Sequence, residues 1–91
     1  MEEQHGAFVQ VQIVTTSGSY PEKGHDLVPS HQKVKIQLAE AARKLELTDT
    51  TGWVAVVAGR EIDPEKSWTE NAIEGRVQVD WGPREGGGGA R

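Results

Sequence analysis

Residues 58–73, AGREIDPEKSWTENAI, carry most of the information about the fold. The run WVAVV just before them is rich in β-branched residues, which favour a strand, so Ala58 and Gly59 predict a turn and REI continues as the next strand. The remainder, DPEKSWTENAI, has the polar and proline content of a surface excursion. Within that excursion we expect the apolar side chains of Trp68 and Ile73 to point inward.

The segment that follows, RVQVDW, alternates between apolar and polar residues. Val77, Val79 and Trp81 fall on one face, and Gln78 and Asp80 fall on the other. This period of two residues predicts a half-buried last strand.

The N-terminal part predicts a hairpin. AFVQVQIVTT alternates in the same way and predicts the first strand. SGSYPEKGH contains Gly18, Pro21 and Gly24, which favour a turn, and the short HDLVP after it predicts a second strand antiparallel to the first.

A helix is predicted over HQKVKIQLAEAARKL, with Ser30 as its N-cap. Its apolar residues recur at the spacing of one helical face, and they are Val34, Leu38, Ala41, Ala42 and Leu45. Lys33, Lys35, Gln37, Glu40, Arg43 and Lys44 are left mostly to the solvent side. The element order is therefore β-β-α-β-β-β, an α+β class.

Composition excludes several classes of function. Ninety-one residues predict one small domain, and 10 basic residues against 14 acidic ones give a net charge of −4, which does not favour a nucleic-acid partner or a membrane surface. The chain has no cysteine, and His5, His25 and His31 lack the spacing of metal ligands. No stretch is apolar enough to span a membrane, so we expect a cytoplasmic protein. No nucleophile–base pair or phosphate-binding loop is apparent, so we expect neither catalytic residues nor a cofactor.

The helix core VKIQLAEAARKL, the segment VVAGREIDPEKSWTENAI and a last strand that runs into glycines resemble ubiquitin and the ubiquitin-like proteins of the β-grasp fold. The resemblance covers the chain from Phe8 to Gly89. The sequence differs from ubiquitin in having a longer first hairpin, four glycines, and no Arg-Leu-Arg before the glycines. It is more similar to the divergent ubiquitin-like modifiers of bacterial operons. The resemblance implies a mixed sheet packed on one helix over residues 7–81, with a flexible N-terminus (1–6) and a flexible tail (82–91).

The resemblance also implies a function for GGGGAR at the end of the sequence. In the family, a terminal glycine carboxylate is adenylated by an E1-like activating enzyme, passed to an E2-like conjugating enzyme and joined to a target protein. Glycines fit a narrow channel to the ATP site because they have no side chain and accept any φ. Residues 82–89 would reach about 26 Å at ~3.3 Å per residue. A peptidase would first cut before Ala90 and leave Gly89 as the terminal residue. Cleavage after Gly88 or Gly87 fits the sequence almost as well. The predicted conjugation and processing site consists of Gly86, Gly87, Gly88, Gly89 and Ala90.

The candidate partner-binding residues are Val56 and Arg60, by the resemblance, and Trp81, Arg84 and Glu85, by their place where the last strand leads into the tail. For Trp81, packing in the core is the alternative to an exposed anchor, and for Arg84 and Glu85 a solvated charge pair is the alternative. The outward Gln78 and Asp80 make the sheet surface more polar than that of ubiquitin.

Two other functions stay open from the sequence. One is a sulfur carrier of the same fold, whose terminal glycine becomes a thiocarboxylate. The other is a noncovalent interaction domain that binds through its sheet and has a linker as its tail.

Overall fold

The first strand shows how alternation builds the core. The computed structural model describes residues 7–84, and β1 (Phe8–Thr15) has Val9, Val11 and Ile13 fully buried. Successive side chains of a strand point to opposite faces, so these three form the inner face of β1. The predicted first strand and its inward side are confirmed.

The predicted second strand in HDLVP is confirmed, but an additional short strand lies within SGSYPEKGH, which was predicted as a turn, so the sheet has six strands where five are predicted. β2 (Gly18–Tyr20) and β3 (Asp26–Pro29) both run antiparallel to β1. The turn lies at residues 16–17, and residues 21–24 form a bend between the two strands. Pro21 has no N–H to donate to the ladder, which accounts for the interruption there.

The helix, α1 (Val34–Lys44), begins later than predicted, and Ser30 is not its N-cap. Lys33 holds the N-cap position without a side-chain cap. Ser30 instead continues the ladder beyond β3, since its N–H donates to the carbonyl of Ala7 at 2.9 Å.

The polar excursion caps the helix in place of a side chain. The N–H of Val34 donates to the carbonyl of Lys66, and the N–H of Lys35 donates to the carbonyl of Pro64, both at 3.0 Å. The first N–H groups of a helix have no partner within it, so these bonds satisfy two of them. The excursion and the helix are thereby fixed to each other.

The inner face of α1 is close to the prediction, with two corrections, the first being that Leu45 is the half-buried C-cap and lies outside the helix. Val34, Leu38 and Ala41 are buried as predicted, but Gln37 is buried too, although the sequence pattern leaves it to solvent. Its amide donates to Oδ2 of Asp26 in β3 at 2.8 Å. This bond compensates the cost of burying the amide and joins α1 to the sheet edge.

The three remaining strands complete one mixed sheet. They are β4 (Trp53–Val57), β5 (Arg60–Ile62) and β6 (Gly75–Pro83). The sheet order is β2-β1-β6-β4-β5, with β3 beside β1; β6 is parallel to β1 and antiparallel to β4.

The last strand runs further than predicted. Gly82 pairs with Val54 and Pro83 pairs with Trp53. The tail predicted to begin at residue 82 therefore includes two residues of the sheet, and the predicted boundary is wrong by that length.

The turn predicted in the stretch 58–73 is confirmed. Ala58 and Gly59 have φ of 52° and 79°, and two residues of positive φ form the tight turn that matches the twist of a hairpin. Trp68 and Ile73 are 0% and 5% exposed, so both inward anchors are confirmed. The core lies between the sheet and α1, and its largest fully buried side chains are Trp68, Ile13, Val9, Val11, Val34 and Val79.

Candidate functional site

One row of outward side chains crosses the sheet near the end of β6. Val14 of β1 pairs with Asp80 of β6, Asp80 pairs with Val56 of β4, and Val56 pairs with Glu61 of β5. Paired residues of a sheet share a face, so apolar and acidic side chains alternate along this row. Neighbouring strands lie about 4.8 Å apart, which places Asp80 and Glu61 about 10 Å from each other at the backbone.

A shallow, open groove of about 530 Å³ lies over this row. Val14, Val54 and Val56 are its half-buried apolar side chains. Gly82 lines it as well, next to its partner Val54, and a Cβ placed on Gly82 would meet no atom within 4 Å. The missing side chain at Gly82 thus leaves space on the sheet surface beside the valines. We call this site the outer groove.

Arg84 closes the outer groove where the chain leaves the sheet. Its Nη2 donates to Oε2 of Glu61 at 2.9 Å, and the two side chains are 65% and 47% exposed. An ion pair this exposed contributes little to stability. The ion pair instead affects position, because it places Arg84, the residue that follows β6, next to Glu61 of β5.

The ring of Trp81 packs on the inner side of the sheet, although the residue is also among those that line the outer groove. Its side chain is 8% exposed and meets Trp53 edge-to-face, with ring centroids 5.0 Å apart. The alternation of β6 directs Trp81 inward with Val79, so its ring packs in the core. The interpretation of Trp81 as an exposed partner anchor is therefore wrong.

Arg60 does not line the outer groove. It pairs in the hairpin with the buried Val57, so the two share the inner side of the sheet. Its Nη2 donates to the carbonyl of Asn71 at 2.9 Å. Of the predicted partner-binding residues, Val56, Trp81 and Arg84 line the outer groove, with the ring of Trp81 buried, and Arg60 does not line it.

The glycines and their flanking residues lie outside the described residues. This applies to Glu85, to Gly86, Gly87, Gly88 and Gly89, and to Ala90. What the structure gives is the point from which they start, Arg84 at the rim of the outer groove.

Sequence reasoning missed Val14, Val54 and Glu61 as members of this surface. The alternation of β1 and β4 marks both valines as outward residues, which is a usable signal. The contact between Glu61 and Arg84 spans two strand positions, so it requires the order β5-β4-β6, which the local pattern does not contain.

Residues 7–84 contain no group of three or more His, Cys, Asp or Glu side chains placed to hold a metal ion. Within the same residues, no helix has the length and apolar character needed to cross a membrane.

Comparison with solved structures identifies the fold. A de novo designed protein based on ubiquitin matches with a TM-score of 0.67 and 18% identity over 92% of this chain and 98% of the other. A solution structure of an N-terminal ubiquitin-like domain matches with a TM-score of 0.62 and 12% identity over 92% of this chain and 82% of the other. The chain has the ubiquitin-like β-grasp fold. A protein described as a molecular mimic of SUMO that promotes DNA repair also matches, with a TM-score of 0.61 and 14% identity over 85% of this chain and 95% of the other.

The ubiquitin-like β-grasp is shared here without close sequence similarity. No protein-family model matches the chain, and no curated protein matches it. At 12–18% identity, the likeness to the solved structures lies in the fold.

Proposed function

We propose that this protein is the precursor of a ubiquitin-like modifier. A peptidase exposes one of its glycines, an E1-like enzyme adenylates the new carboxylate, and an E2-like enzyme takes part in joining it to target proteins. The protein is then a substrate and carrier, and the catalytic groups belong to its partners.

The observation that carries the proposal is how the last strand ends. β6 is the central strand of a ubiquitin-like sheet, and it finishes at Pro83. Only Arg84 and Glu85 separate it from the run Gly86 to Gly89. A rigid domain thus delivers a segment without side chains at a fixed point, as an enzyme with a narrow channel requires.

The pairing of Gly82 and Pro83 shortens the reach of that segment. Residues 85–89 extend at most about 17 Å at ~3.3 Å per residue, compared with about 26 Å if the tail began at residue 82. An activating enzyme must therefore bring its ATP site within that distance of Arg84. The proposal predicts close docking of the globular domain on such an enzyme.

The test is the intact mass of the full chain after incubation with ATP and candidate peptidase, activating and conjugating enzymes from the neighbouring genes. Loss of Ala90 and the residue after it, then an adenylate or a covalent adduct on a partner, supports the proposal and identifies the terminal glycine. Replacement of oxygen by sulfur at that glycine would instead identify a sulfur carrier. An unchanged mass with enzymes shown to be active on another substrate would contradict both.

Matched glycine variants provide the control. Gly88→Val and Gly89→Val should abolish processing or transfer, because a side chain would enter the channel. Gly82→Ala should leave both intact, since the added Cβ meets no atom within 4 Å. Equal loss in all three variants would mean that the glycine run has no special role.

A noncovalent interaction domain is the second candidate function, and the outer groove favours it. The half-buried valines of the groove lie on an open sheet face. If the Gly88→Val variant keeps its biological function in cells while substitutions in the outer groove abolish it, this second function is the correct one.

A further inference from the structure

We infer that Glu61 is a positioning residue that holds Arg84 on the sheet and so protects the link between the domain and the glycine run from arginine-specific proteases. The inference goes beyond the proposed function, because this protection requires neither an activating enzyme nor a conjugate. It rests on the side-chain contact of Arg84 and on the backbone pairing at the end of β6.

Arg84 occupies a vulnerable position in the sequence. It is the only basic residue between the end of β6 at Pro83 and the last glycine, Gly89. A trypsin-like protease binds an arginine side chain in its specificity pocket and cuts the peptide bond on the carbonyl side of that residue. A cut after Arg84 would therefore separate all four glycines from the domain.

The side chain that such a protease must bind is engaged with Glu61. Nη2 of Arg84 donates to Oε2 of Glu61 at 2.9 Å, and Glu61 belongs to β5, at the edge of the sheet. The guanidinium cannot enter a protease pocket and keep this contact at the same time. The ion pair must therefore open before the bond after Arg84 is cut.

The backbone pairing at the end of β6 is weak, which makes the side-chain contact matter. Pro83 pairs with Trp53, but Pro83 has no N–H, and the N–H of Trp53 donates to the carbonyl of Thr50 at 3.0 Å. Neither residue of this last pair donates a hydrogen bond to the other. Glu61 thus holds the chain at the point where the sheet itself holds it least.

The test is digestion of the folded full chain by trypsin at low salt, with intact-mass spectrometry of the product that ends at Arg84. Glu61→Gln removes the charge and keeps the size of the side chain. We expect it to raise the initial rate of this cut about two- to fivefold, because cleavage follows the population of the opened form and an exposed ion pair contributes no more than that. Cleavage after Lys23, in the bend between β2 and β3, is the internal reference and should be unchanged.

A matched variant and a change of salt identify the ion pair as the cause. Glu65→Gln removes an exposed carboxylate from a different ion pair, with Lys35 at 2.9 Å, and should leave the cut after Arg84 unchanged. At about 1 M salt the screening length falls to about 3 Å, so the difference between wild type and Glu61→Gln should largely disappear. All rates are divided by the rate of the cut after Lys23, which corrects for the effect of salt on trypsin.

Three results would overturn the inference. Equal rates for wild type and Glu61→Gln at low salt would show that the contact gives no protection. The same increase in Glu65→Gln, or an increase in Glu61→Gln that persists at about 1 M salt, would refute the ion pair as the cause. Since the digests contain no activating or conjugating enzyme, their outcome is independent of the mass experiment that tests the proposed function.

Discussion

Replacing Asn71 by alanine should destabilise the domain more than any change on the outer sheet surface. Asn71 is 7% exposed, and its amide makes three hydrogen bonds within the excursion. Oδ1 accepts from the N–H of Asp63 at 2.8 Å, and Nδ2 donates to the carbonyls of Asp63 and Ser67, both at 2.9 Å. The side chain thus holds together the two ends of the loop that caps α1.

The magnitude follows from those three bonds. A hydrogen bond contributes about 0.5–1.5 kcal/mol net, and a buried partner left unpaired costs about 1–3 kcal/mol. We therefore expect Asn71→Ala to reduce the free energy of unfolding by about 2–4 kcal/mol. At about 4–8 °C per kcal/mol for a domain of this size, the melting temperature should fall by roughly 8–32 °C.

Urea unfolding followed by tryptophan fluorescence measures this change, with the slope of the transition as a check on two-state behaviour. Gln78→Ala is the control, because Gln78 is exposed and its side chain, among residues 7–84, hydrogen-bonds only to Asp80, at 3.3 Å. It should change the free energy of unfolding by less than about 0.5 kcal/mol. A loss below about 1 kcal/mol for Asn71→Ala, at an unchanged slope, would refute the account of the loop.

Three further predictions concern other parts of the domain. Trp68→Phe should change the free energy of unfolding by less than about 1 kcal/mol in a denaturant titration. The substitution loses packing volume, but it also removes a buried Nε1 that has no hydrogen-bond partner among the described residues, and the two effects oppose each other. A loss of about 3–5 kcal/mol, as expected for Trp→Ala, would contradict this. Gly59→Val should destabilise by about 1–2 kcal/mol, because Gly59 has a φ of 79° that a β-branched residue avoids, and thermal melts that coincide with wild type would count against it. Backbone and side-chain hydrogen bonds from Thr51 lower the pKa of Asp49 below its ordinary 3.8. The ionised carboxylate therefore stabilises the fold above pH 3.8, and this contribution is lost as the pH falls through the lowered pKa. A pKa of 3.8 or higher for Asp49 in an NMR titration would disprove this prediction.

The sequence predicted the fold where one local rule determines the structure. Alternation placed Val9, Val11 and Ile13 inside, and the Ala-Gly pair gave the β4–β5 turn. The burial of Trp68 was predicted because it is a large apolar residue within a polar loop. In each case the neighbouring residues along the chain contain the whole signal.

The predictions failed where a distant partner decides. Ser30 has the chemistry of an N-cap, but its backbone is engaged with Ala7, and the loop carbonyls of Lys66 and Pro64 cap the helix instead. Gln37 is polar, yet Asp26 offers it a bond that makes burial tolerable. These pairs are 11 or more residues apart in sequence, so helical and strand periodicity do not contain them.

The same limit applies to the candidate site. Val56 was found because β4 alternates, and Asp80 was placed outward for the same reason. The outer groove itself depends on strand order, which brings β1, β6, β4 and β5 side by side. Its open space depends on Gly82, which the sequence pattern assigned to the tail and not to the sheet.

The loop that decides the fold also supports the point where the chain leaves the sheet. Asn71 orders the loop, and its carbonyl accepts from Arg60, the first residue of β5. The next residue of β5, Glu61, holds Arg84 at the end of β6. Two hydrogen bonds, joined through the backbone of β5, therefore connect the loop that caps α1 with Arg84, two residues before the glycine run. If that segment enters an enzyme, the path by which it approaches is set in part by residues 58–73.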